Sequence, residues 1–335
     1  MTVTEPSDTA AAPLVATAID VVAAIDVGGS RIKAALVDRS LRVVTRTIES
    51  TPPDIAHDVG TVVAGTVDRL VAASEKDGTP VRLVGCGVVV PGLVDEGTGT
   101  GLLSVNLGWR DLSIRDLVRA TVGVPTVVGH DVRAGLLAEV RLGAARGARH
   151  ALFVPIGTGI AGALMVDGAV LTAGGWAGEL GHVQVESDGP PCPCGGRGCL
   201  EVVASASAIA RAYAARRQSA PDRQSAADNP SATQHAVDAR AVAAKVATGE
   251  PDAVAVWQRA VAALARAVLA TITITGIDLV VVGGGLALSG ETLLAPLRTE
   301  LEALRTFQRP PRVVLAELGD RAGCLGAACL AWDVG

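Results

Sequence analysis

The sequence predicts an α/β protein of two lobes built by internal duplication. Three observations carry this reading. Two stretches, "VVAAIDVGGSRIKAALVDRSLRVVTRTIES" and "ALFVPIGTGIAGALMVDGAVL", each read strand, glycine turn, strand, tight turn, strand. A helix and another strand follow the first meander, which excludes the simple Rossmann order, where the first strand runs directly into a helix. The chain is 49% apolar but only 2% aromatic, so its cores must be built from Ala, Val, Leu and Ile.

Taken in order, residues 1–20 open with small and acidic residues and read as a loose tail, not a signal peptide. Buried-type runs at 21–25, 32–37 and 42–48 form the first meander, with turns at Gly28-Gly29 and at Asp38-Arg39-Ser40. Apolar residues at Val59, Val62, Val63, Val67, Leu70 and Val71 predict a helix over 55–74. "VRLVGCGVVVPGLVD" is a buried strand ending at Pro91-Gly92, and "VVGHDVRAGLLAE" is a strand followed by an amphipathic helix. The second meander turns at Gly157-Thr158-Gly159 and at Asp167-Gly168. Ala-rich helices are expected over 204–217, 236–248 and 252–274, then the strand "IDLVVVGGGLA" and a last helix over 322–332. The lobes are placed at 21–131 and 132–320, with the C-terminal segment 321–335 packing back on the first. Residues 216–236, polar and broken by Pro221 and Pro230, read as a mobile surface insertion.

Composition narrows the function. The chain of 335 residues carries a net charge of −5, with no basic footprint for nucleic acid. No apolar run approaches the ~18 residues needed to span a bilayer. Six cysteines, three of them inside "CPCGGRGC", do not form the pattern of a secreted disulfide framework. A cytoplasmic protein is expected.

Four motifs bear chemistry. In "AIDVGGSRIK", Asp26 ends a strand and Gly28, Gly29 and Ser30 form a turn where backbone N–H groups can approach phosphate, with Lys33 just beyond. An aspartate there suits a water on Mg²⁺, although the turn alone is equally an ordinary hairpin. Gly157, Thr158 and Gly159 repeat the design, and Gly283, Gly284 and Gly285 follow another strand. Neither is a P-loop, because no Gly-Lys-Ser/Thr follows. Together the three fit two lobes closing on a nucleotide. Asp131, after a buried strand, is either a helix cap or a base for a sugar hydroxyl. His182, Cys192, Cys194 and Cys199, spaced His-x9-Cys-x-Cys-x4-Cys, make a Cys₃His set for a closed, structural zinc.

In combination these residues resemble the ROK proteins (repressor, open reading frame, kinase), whose sugar kinases include bacterial ATP-dependent glucokinases. The resemblance runs from about Val21 to the C-terminus through "DVGGS", "VPG", "NLGW", "HDVRAG", "IGTGIAGA", "GELGH", "CPCGGRGCLE" and "VVGGG". It implies a duplicated actin-like, hexokinase-type (ribonuclease H-like) fold holding ATP with Mg²⁺ and a hexose between the lobes. It also implies Asp131 as catalytic base, and Glu179, His182, Glu201, Asn106 and Gly92 as sugar contacts. His130 stands where the family usually has an Asn that commonly contacts the sugar, so hydroxyl recognition is expected to differ here. Glucose is the first expectation, with N-acetylmannosamine or another hexose as the alternative, and a homo-oligomer (dimer or tetramer) is expected. A sugar-sensing regulator is disfavoured, because only about twenty residues precede the first glycine turn, too few for a ~three-helix DNA-binding module. A non-catalytic sugar binder and a zinc-ribbon interaction module are the remaining rivals.

Overall fold

The computed structural model describes residues 18–219 and 237–334. The first half runs β1 (Ile19–Val27), β2 (Arg31–Asp38), β3 (Val43–Ser50), α1 (Ile55–Lys76), β4 (Val81–Val90), β5 (Leu93–Asp95), β6 (Thr100–Ser104), β7 (Trp109–Leu112), α2 (Ile114–Val122) and β8 (Thr126–His130). α3 (Asp131–Leu142) leads to β9 (Ala151–Pro155), β10 (Ala163–Val166) and β11 (Ala169–Val170). Then come α4 (Leu200–Ala204), α5 (Ala206–Gln218), α6 (Ala239–Ala247), α7 (Pro251–Thr275), β12 (Leu279–Gly283), α8 (Gly284–Ala287), α9 (Glu291–Leu304), β13 (Arg312–Leu315) and α10 (Ala322–Val334).

Two five-stranded sheets share one plan. Their orders are β3-β2-β1-β4-β8 and β11-β10-β9-β12-β13. In each, the first three strands pair antiparallel as a meander and the remaining ones add in parallel. The duplication read from the glycine turns is therefore a duplication of sheet topology.

Both faces of the first sheet are covered, which is why its strands are near-continuous apolar runs. Val21, Ala23, Ile25 and Val27 pack with Val59, Val63, Val67 and Leu70 of α1. The alternate residues Val22 and Ala24 pack with Ala327, Ala328 and Ala331 of α10. Small residues let α10 come in close: a Cβ on Gly87 of β4 would sit 2.0 Å from the Ala327 carbonyl oxygen. In the second sheet, Leu152, Val154, Val280 and Val282 pack under α7 and α9. Its other face, with Phe153 and Val281, meets Leu136 of α3. α3 and α10 thus lie against each other between the two sheets.

Several expectations are corrected. β1 begins at Ile19, inside the stretch read as a tail, and the rest of that tail lies outside the described residues. Most of the 216–236 insertion also lies outside them, but residues 216–218 are helical, ending α5. The helix expected over 204–217 is α5, which starts two residues later because the Ser205 side chain caps it by accepting from the Ala208 N–H at 3.1 Å, and the short α4 before it was not expected. α7 is long and apolar enough to cross a membrane by length and composition, although Arg259 and Arg266 break its apolar run. Its apolar residues, Trp257, Val261, Leu264 and Val268 among them, instead form the core of the second half.

Candidate active site

Strands β1, β4 and β8 are mutually parallel, so their carboxyl ends collect at one edge of the first sheet. That edge presents Asp26 and the Gly28–Ser30 turn, then Pro91-Gly92, then His130-Asp131. Carboxyl edges of parallel strands are where open α/β sheets bind ligands. In the second sheet the corresponding ends of β9 and β12 present Gly157–Gly159 and Gly283–Gly285. These last two segments touch: the Ile156 N–H donates to the Gly283 carbonyl, and the Leu286 N–H to the Ile156 carbonyl. The 28–30 turn belongs to the first sheet.

Asp26 is paired with Lys33 across the hairpin. The Lys33 ammonium lies 3.9 Å from Asp26 Oδ2 and donates to the Asp320 carbonyl at 2.9 Å. Burial pushes the Asp26 carboxyl up to about 6, with Lys33 opposing the shift and Asp320 adding to it. Asn106, in the β6–β7 loop, sits beside the same turn: a Cβ on Gly29 would touch its Cβ at 3.6 Å. Gly92 packs its backbone directly on Leu103 and Ser104 of β6.

Asp131 is the first residue of α3, and the N-cap position belongs to His130. The Asp131 side chain keeps 31% of its surface open and is otherwise surrounded by protein. Burial first, then the neighbouring Asp26 charge, push its carboxyl up to about 7. Its Oδ1 also accepts the Val132 N–H at 2.7 Å. Burial, helped by Arg133, pushes the His130 imidazole down to about 3, so it is neutral. Nδ1 of His130 accepts the Val132 N–H at 3.2 Å, which places the ring proton on Nε2.

The "GELGH" segment lies flat on the chain after the second glycine turn. Side chains at Gly178 and Gly181 would run into the carbonyls of Gly162 and Ile160, so only glycine permits this approach. Glu179 precedes a single 3₁₀ turn, Leu180–His182. One ring nitrogen of His182, Nε2, lies 3.9 Å from Glu179 Oε2, while the other, Nδ1, lies 3.7 Å from Cys192 Sγ. Cys194 Sγ and Cys199 Sγ are 3.7 Å apart, and all four ligand atoms fall within 4.8 Å of one another. Tetrahedral Zn–S bonds of about 2.3 Å set ligand separations near ~3.8 Å, so the residues fit the metal. Glu201, in the first turn of α4, is tied to the chain just after the 157–159 turn: its Oε2 accepts the Ile160 N–H at 2.9 Å.

Sequence reasoning missed Glu96, Arg133 and Asp320. The Arg133 side chain is 2% exposed and bonds the Glu96 carboxylate, the Val94 carbonyl and the Ala177 carbonyl. These partners are 37 to 44 positions away in sequence, and no local pattern announces them.

The sequence from Val22 to Val334, residues 22–334, matches the ROK family. The chain belongs to the ROK family. A glucokinase from Halalkalibacterium halodurans is 31% identical over 91% of this chain and 93% of its own length. An N-acetylmannosamine kinase from Citrobacter koseri is 32% identical over 92% and 97%. The crystal structure of a ROK family glucokinase from Streptomyces griseus in complex with glucose and AMPPNP superposes with a TM-score of 0.76, at 27% identity over 93% of this chain and 99% of that one. A ROK family transcriptional regulator shares the fold at a TM-score of 0.81 and 24% identity, over 92% of this chain and 77% of its own. The ROK fold is thus common to enzymes and regulators, and the site chemistry must separate them.

Proposed function

We propose that this ROK protein is an ATP-dependent hexose kinase with Asp131 as general base and glucose, phosphorylated at the 6-OH, as the first substrate to test. The observation that carries this is the Asp131 carboxyl itself. It stands at a parallel-strand end, partly open, and is poised near neutrality by burial and by Asp26. A base with that poise takes a hydroxyl proton efficiently at physiological pH. The nucleotide complex of the Streptomyces griseus glucokinase supports ATP as the phosphoryl donor.

Phosphoryl transfer asks mainly for alignment and charge stabilisation. In this reading the sugar lies among Asn106, His130, Asp131, Glu179, His182 and Glu201, near the backbone of Gly92. His130, neutral and protonated on Nε2, offers the sugar a donor only, whereas an amide both donates and accepts. Hydroxyl selection at that position should differ accordingly. The ATP phosphates lie against the backbone of the 28–30 and 157–159 turns, with Lys33 beside the first and Gly283–Gly285 walling the second. The oxygen donors of Asp26 would suit a water of the shell of Mg²⁺ bound with ATP, which would neutralise phosphate charge. His182, Cys192, Cys194 and Cys199 would hold a structural zinc, which would tie down the segments carrying Glu179 and Glu201. ADP release should be measured with glucose, mannose, allose, fructose and the N-acetylhexosamines. Turnover with at least one is expected, and none with any would refute the reading. The N-acetylmannosamine kinase relative makes preference for that sugar the alternative outcome.

A further inference from the structure

We infer that Arg133, held by Glu96, is a positioning residue that ties the base Asp131 to the loop carrying Glu179. The inference rests on the kinase reading above and names a part of that site which no motif revealed.

Arg133 lies two residues beyond Asp131, and each of its three guanidinium nitrogens has a partner. Nε meets Glu96 Oε1 at 2.8 Å, one terminal nitrogen meets the Val94 carbonyl at 3.1 Å, and the other meets the Ala177 carbonyl at 3.1 Å. The same Glu96 oxygen accepts the His130 N–H at 3.0 Å. Glu96 therefore grips α3 on both sides of Asp131, at residues 130 and 133. Arg133 in turn grips the strand before Glu96 and the backbone two residues before Glu179. A planar fork is needed for three acceptors in different directions, which an ammonium cannot reproduce. A buried ion pair of this kind fixes geometry more reliably than it adds stability.

The charge also faces the base. The groups around Asp131 are Asp26 from β1, with Lys33 of β2 and Asp320 facing Asp26, then His130 of β8 and Arg133 of α3. His130 is neutral and Asp26 raises the Asp131 carboxyl, while Arg133 lowers it. Removing the guanidinium should therefore raise the Asp131 carboxyl further and move the acid limb of the pH profile upward.

Three variants separate the geometric role from the electrostatic one. Arg133→Lys keeps the charge and loses the fork. Its KM for the sugar should rise about tenfold, in line with the cost of small misplacements, with the acid limb of kcat/KM unmoved. The double variant Glu96→Gln with Arg133→Met leaves no buried unpaired carboxylate. Its sugar KM should be raised, and Arg133→Met alone, which removes the positive charge and keeps Glu96, should move the acid limb upward. Thermal melts establish which variants fold, and sugar binding by calorimetry gives a readout independent of turnover. A lower melting temperature with unchanged sugar affinity and pH profile, in whichever variant folds, would reduce the pair to a structural staple and overturn the inference. Wild-type protein inactive on every hexose would instead refute the kinase reading beneath it.

Discussion

At the scale of single residues, the reading turns on protonation. A base whose carboxyl is raised to about 7 is mostly protonated below that pH and ionised above it. The free enzyme's kcat/KM should therefore fall on the acid side of about 7, approaching a tenfold loss per pH unit, and level off above it. A profile flat from pH 5.5 to 8, roughly the range in which only perturbed groups and histidine titrate, would show that Asp131 is not the titrating base. His130 should be silent in that profile, because burial keeps its imidazole neutral down to about 3. Asp131 was legible in the sequence as a choice between helix cap and base. The structure gives the N-cap position to His130, while Asp131 Oδ1 also accepts the Val132 N–H of the first turn, so the choice between cap and base is decided by the Asp131→Asn measurement below. Arg133 and Glu96 were not legible, since their partnership is made by the fold.

At the scale of elements, the glycine turns can be tested one side chain at a time. A Cβ at Gly157 meets open space, whereas one at Gly159 would fall 2.3 Å from Glu201 Oε2. Gly157→Val should weaken ATP binding while sparing sugar affinity, by crowding the backbone that faces the phosphates. Gly159→Val should weaken both, because it displaces Glu201. Equal and normal nucleotide affinity in both variants, measured by calorimetry, would move the nucleotide elsewhere. The zinc loop makes a second prediction: protein purified without chelator carries one zinc per chain by elemental analysis, and Cys194→Ser loses it together with sugar affinity. Metal-free wild-type protein with normal sugar affinity would remove zinc from the account. The meanders and the Cys₃His loop were readable because each is compact in sequence. α9 and β13 were not read: Pro296 interrupts the helical pattern, and β13 is four residues long. The sheet of β5, β6 and β7 was missed for the same reason of brevity, although it carries Asn106 beside the first turn.

At the scale of the whole molecule, two crossings connect the sheets, one after α3 and one before α10. Glu139, fully buried on α3, holds both: it accepts the Ala144 N–H at 2.8 Å, the Glu317 N–H at 3.2 Å and the Leu318 N–H at 2.9 Å. Glu139→Ala should lower stability by about 3 kcal/mol or more, since each orphaned donor costs ~1–3 kcal/mol. Glu139→Gln, which keeps one acceptor oxygen, should lose less in the same denaturant titration. Equal stability of both variants with wild type would show that the crossings are held by other contacts. In the proposed kinase, sugar and nucleotide lie between the two glycine-lined edges, and the proposed chemistry rests on one carboxylate, Asp131. The most direct test is single-turnover phosphoryl transfer from ATP to the preferred hexose, in wild type and in Asp131→Asn, with sugar binding followed in parallel. The amide keeps the shape and cannot take the hydroxyl proton, so the transfer step should slow about 10²- to 10⁴-fold while sugar affinity is largely retained. Transfer by Asp131→Asn at the wild-type rate would contradict the account.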